Sequence, residues 1–153
     1  MRYACCILAL AAIGCGATPM EFRYRPVFVD PALGTAPEEA LAEWQAASGG
    51  LFPPREISFY VSDLPGTLAG RTSPYSQDGN HFTIDIDTET PAADIRRVLL
   101  HELGHVAGLR FGPDLESSHY TGTAPSVMRA VTVDCADEIG APELEAMRQK
   151  FHR

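Results

Sequence analysis

Lysine is almost missing from this chain of 153 residues. Lys150 is the only one, the other basic residues are all arginine, and twelve basic against twenty acidic side chains leave a formal charge of −8. No run of basic residues occurs, so the electrostatic footprint of a nucleic-acid binder is absent. Long apolar stretches are lacking too. None reaches the roughly 18–20 residues that cross a bilayer. Cysteine is scarce beyond the N-terminus: of four, only Cys135 lies after residue 15, which excludes a disulfide scaffold. There is no internal repeat and no composition break, so one domain is expected. What remains, 45% hydrophobic and 21% charged residues, is the balance of a globular domain rather than a disordered one.

Arg2 is followed by an apolar run over residues 3–13, too short for a membrane span and the right length for the core of a secretory signal. The run ends in Ala12-Ile13-Gly14-Cys15, which resembles a bacterial lipobox, where the cysteine is lipidated and becomes the new N-terminus. That resemblance implies a signal peptide over residues 1–14, a lipidated tether over 15–21 and a folded domain over 22–153. Acyl chains on Cys15 would hold the domain on a membrane surface, as an exported lipoprotein of the bacterial cell envelope. Cleavage after Ala17 instead would give a soluble secreted protein.

Along the domain, residues 22–29 alternate apolar and polar and contain Pro26, as an edge or bulged strand does. Residues 35–48 read as a helix, with Thr35 as N-cap, Pro37 in the first turn and Ala40, Leu41 and Trp44 on one face. Residues 57–61 read as a buried strand. The Gly- and Pro-rich stretch 63–80 reads as loop, with a short strand around 67–71. Residues 81–87 alternate strictly, which predicts a half-buried strand. The clearest element opens at Thr90-Pro91, repeats Ile95, Val98, Leu99, Leu103 and Val106 at helical steps, and should stop at Gly108. Residues 109–133 look irregular. A last helix spans 142–151, with Leu144, Met147 and Phe151 facing inward.

The long helix contains His101-Glu102-Leu103-Gly104-His105. Histidines four apart leave a helix on one face, on consecutive turns, so both can bind one Zn²⁺. Glu102 is turned about 100° away, beside the metal rather than on it, where a carboxylate can take a proton from water. Two ligands are incomplete, since a catalytic zinc site usually has three from the protein. His81 and His152 read as structural or exposed.

Gly108 lies three residues beyond His105, and Ser126-Val127-Met128 follows downstream. His-Glu-x-x-His-x-x-Gly with a later methionine-containing turn resembles the metzincin metalloproteases, and HELGHVAGL over 101–109 resembles their matrixin branch. The resemblance implies an α+β metzincin-like catalytic domain: a small twisted mixed sheet packed on the active-site helix, with a C-terminal helix. It also implies that the strand before that helix edges the cleft and pairs with an extended peptide. The pattern breaks at Phe111, where metzincins carry the third ligand. The site has lost that ligand, or Asp114 serves, or an enlarged loop delivers His119. His119 is favoured, because matrixins place this histidine about eight residues before the methionine and His119 stands nine before Met128. A glutamate among 138, 143 and 145, as in gluzincins, is a weaker alternative.

The activity so implied is that of a zinc metalloendopeptidase, expected as a monomer acting on protein or peptide. Zn²⁺ would sit on His101, His105 and His119, with Glu102 as general base. The short interval between Cys15 and the first strand leaves no room for the inhibitory propeptide frequent in matrixins. Two other readings compete: an inactive zinc- or peptide-binding lipoprotein on the same scaffold, and an adhesin or assembly factor in which the histidine motif is coincidental.

Overall fold

A computed structural model describes residues 25–49, 55–77, 79–112, 117–129 and 135–151. They form β1 (Arg25–Val29), α1 (Ala36–Ala47), β2 (Glu56–Ser62), β3 (Gly70–Pro74), β4 (His81–Asp87), α2 (Ala92–Val106) and α3 (Ala141–Phe151), with one 3-10 turn at Pro31–Leu33. The class is α+β, as expected. Residues 22–24 of the first expected strand lie outside the described residues.

The sheet order is β1-β2-β4-β3. β1, β2 and β4 run parallel, and β3 lies antiparallel on β4. β1 is an edge strand whose register slips between Pro26 and Phe28, the bulge expected where proline lacks an N–H. Period-two alternation turns Ile57, Phe59, Ile84 and Ile86 inward, where all are buried. α2 packs against α1, β3 and β4. Trp44 of α1 is buried in this layer, and its indole N–H donates to Leu100 O of α2 at 3.0 Å, the partner a buried indole needs.

Several local expectations are corrected. Thr35 holds the N-cap position of α1 as expected, but its side chain bonds no helix N–H; the hydroxyl donates to Glu39 Oε1 at 2.7 Å. Thr90 does not cap α2. Pro91 occupies that position, and the Thr90 hydroxyl donates to Ala69 O at 3.1 Å, tying the loop before β3 to the start of the helix. The strand expected around 67–71 lies at Gly70–Pro74, after the turn at Pro65-Gly66. The strand expected to edge the cleft, residues 81–87, is instead internal: β2 covers one side of β4 and β3 the other. The edge beside α2 is therefore β3. α3 turns Glu143, Ala146 and Met147 inward, with Leu144 and Phe151 half-buried. A carboxylate holds a core place because two groups of the neighbouring loops donate to it: Ser126 Oγ to Oε1, and Gly140 N to Oε2 at 2.9 Å.

α2 ends where its sequence says. Gly108 has φ +65°, the left-handed conformation glycine adopts at least cost. Its N–H donates to His105 O at 2.8 Å, and the Leu109 N–H donates to Gly104 O at 3.1 Å. This pair of bonds is the Schellman closure. It turns the chain out of the helix directly after His105.

Candidate metal centre

α2 carries three of the expected site residues. His101 and His105 rise from the same face, with Nε2 atoms 3.1 Å apart. His119 comes from the irregular segment after α2. Its ring centroid stands 5.2 Å from that of His101 and 5.0 Å from that of His105. One ligand nitrogen from each ring falls within 4.8 Å of the other two. Among the described residues this is the one group of metal-ligating side chains, and it contains no carboxylate.

The loop reaches the helix because Phe111 and Ser117 pair across it. The Phe111 N–H donates to Ser117 O at 2.8 Å and the Ser117 N–H to Phe111 O at 3.3 Å. Phe111 itself is buried and meets Tyr120 edge to face, centroids 5.7 Å apart. It therefore plugs the core at the base of the loop. The Ser117 hydroxyl donates to His119 O at 2.6 Å and accepts from His119 N at 3.1 Å. The Tyr120 N–H donates to Met128 O at 2.7 Å, which joins the His119 segment to the turn at 126–128. Asp114 and His152 lie outside the described residues. Glu145 pairs with Arg148 on the exposed side of α3. His81 sits elsewhere, its Nε2 3.2 Å from Ser58 Oγ and its ring against Tyr75.

The turn at 126–128 supports the cluster from below. The carbonyl of Val127 lies 2.8 Å from His101 Nδ1. A carbonyl only accepts, so Nδ1 bears the proton and Nε2 presents a lone pair. Met128 is fully buried, and the Met128 N–H donates to Ser126 Oγ at 3.0 Å. Its sulfur lies over Gly104, where a Cβ would overlap it. A side chain at Gly104 would have to displace the methionine beneath it.

The chemistry of these donors fits a cation. Two nitrogens each 2.0–2.1 Å from one tetrahedral Zn²⁺ would lie about 3.3–3.4 Å apart, close to the observed His101–His105 spacing. Burial holds all three histidines below their ordinary pKa, and His105 is lowered to about 4, with the neighbouring charges of His101, His119 and Arg110 adding to burial. Rings kept neutral are in the form that binds metal.

Glu102 is buried beside them. Burial pushes its carboxyl up to about 7, and hydrogen bonds from the Thr72 side chain and backbone hold it back in part. A cation nearby would favour the ionised form. The cluster opens on a cleft of about 390 Å³ whose far wall is Thr67–Thr72, including Leu68 and Arg71. Sequence reasoning missed Thr72, Val127 and Cys135, whose sulfur lies 3.7 Å from His101 Nδ1. Thr72 follows by alternation from a strand three residues later; Val127 lay within the methionine-containing turn without its carbonyl being singled out, and Cys135 carries no sequence signal. No protein-family model matches this chain, and neither the curated proteins nor the solved structures contain a match.

Proposed function

We propose that this chain is a zinc-dependent endopeptidase of metzincin type, closest in motif to the matrixins, with His101, His105 and His119 as ligands and Glu102 as general base. The observation that supports it most is the approach of the His119 ring to the two helix histidines despite the enlarged loop. Zn²⁺ held there would supply Lewis acidity toward a peptide carbonyl and make water acidic near neutral pH.

The chain's own residues supply the rest. The Glu102 carboxylate takes a proton from the attacking water and returns it to the leaving amine. The Val127 carbonyl keeps the His101 ring in one orientation. β3 has no strand partner on its outer side among the described residues and forms one wall of the cleft. An extended peptide would add to that edge by main-chain hydrogen bonds. Lipid on Cys15 would place the enzyme at the cell envelope.

Purified protein should hold one zinc per chain and cleave casein. Glu102→Gln should keep the zinc and lose the cleavage. Zinc binding without cleavage by the unaltered chain would favour the binding-lipoprotein reading. Absence of zinc would end both and leave the adhesin reading.

A further inference from the structure

β3 does more than edge the cleft. Gly70 and Thr72 are two apart, so both face α2. Thr72 Oγ1 lies 2.6 Å from Glu102 Oε2 and 3.0 Å from the backbone O of the same residue. At Gly70 a Cβ would stand 2.6 Å from Val98 Cγ1 and 3.0 Å from Glu102 Oε1. One strand therefore sets the surroundings of both carboxyl oxygens: a hydroxyl bonds Oε2, and a bare Cα leaves space beside Oε1.

A glutamate side chain has three rotatable bonds, and a base must be held within about 0.5 Å of its working position. The helix places only the Cα of Glu102. Among the described residues Thr72 is the one whose side chain hydrogen-bonds its carboxyl. A hydroxyl suits this post because it can turn. It donates to a carboxylate oxygen, or it donates to the Glu102 carbonyl and accepts from a carboxyl that carries a proton. The contact is kept in either case.

We propose that Thr72 is the positioning residue for Glu102, so that the strand offered to the peptide also aims the base at the scissile bond. The proposal rests on the reading of Glu102 as general base. Thr72→Val keeps the shape and removes the hydroxyl; Thr72→Ser keeps the hydroxyl and removes the methyl. Each is assayed with internally quenched peptides, for zinc content, and for binding of acetohydroxamate, a chelating ligand that must give up a proton in the site.

Thr72→Val should lower kcat by about tenfold or more, the usual loss for a hydrogen bond to a charged group, with KM and zinc content unchanged. Thr72→Ser should restore most of it. Wild-type kcat in Thr72→Val, or equal damage in Thr72→Ser, overturns the proposal. Thr72→Ala replaces Thr72→Val if the latter melts early. If the unaltered chain binds zinc but cleaves nothing, the endopeptidase reading fails alone, and acetohydroxamate decides. Weakening of about fivefold in Thr72→Val but not in Thr72→Ser sustains the positioning role, and equal affinities refute it. A chain that takes up no zinc overturns both.

Discussion

The two halves of the histidine cluster are built by different means. His101, Glu102 and His105 stand on α2, the element with the most regular apolar spacing in the chain, and the helical period alone puts the two imidazoles together. His119 belongs to a segment with no regular structure. It is brought in by the Phe111–Ser117 pair, the Ser117 hydroxyl and the Tyr120–Met128 bond. A helical ligand is positioned by local geometry and survives changes elsewhere. A loop ligand depends on each distant contact that shapes the loop, and the two halves should fail differently.

The largest effect should come from the helix half. Glu102→Gln should lower kcat by about 10²–10⁴-fold at constant zinc content, measured in the casein assay beside metal analysis. His119→Ala should come next: zinc should be lost to a weak chelator that leaves the wild type loaded, while Asp114→Ala keeps its metal. The reverse result would transfer the third ligand to Asp114 and break the comparison.

Packing beneath the helix should act on stability before chemistry. Trp44→Ala removes a fully buried side chain and leaves the Leu100 carbonyl without its indole donor. A loss of about 3–5 kcal/mol should appear in chemical denaturation. Gly104→Ala drives a methyl into the Met128 sulfur, and about 1–3 kcal/mol should be lost together with zinc affinity, because the same contact supports both halves.

The His105 ring should make the metal-free fold sensitive to acid. His105 is held at about 4 inside the fold against an ordinary 6.5, burial being the main cause. Above 6.5 both folded and unfolded rings are neutral and His105 costs the fold nothing, while Glu102, pushed up to about 7 by burial, contributes in the opposite sense as pH falls. As pH falls from 6.5 toward 4, the unfolded ring takes up a proton that the folded ring refuses, so the ring's share of stability declines. Thermal melting in chelator should isolate this decline as the difference between wild type and His105→Gln, which should be less sensitive to acid than the wild type. The smallest effect belongs to the loop. Ser117→Ala removes the hydroxyl that brackets His119; zinc affinity should fall by about three- to tenfold with little change in melting temperature.

Elements with a strong local period were legible before any coordinates: α1, α2, β2 and β4 lie within a residue or two of where their patterns place them. The side-chain cap bonds at the helix N-termini were not, because the Thr35 and Thr90 hydroxyls found partners in Glu39 and Ala69 that compete with the helix N–H groups. The buried place of Glu143 was not legible either, since its partner Ser126 comes from a distant segment and Gly140 from the loop before α3. Which strand edges the cleft was also beyond the sequence. Pairing order is set by contacts between distant residues, and alternation says only which residues share a face.

The sequence by itself determined that two histidines ride one helix turn apart with a glutamate about 100° round from the first, because 3.6 residues per turn is a property of the backbone. Only the tertiary structure decided that His119 closes on them, that β3 and not β4 borders the cleft, and that Thr72 meets Glu102. Each of those depends on segments far apart in the chain packing on one core, and no local period encodes such an encounter.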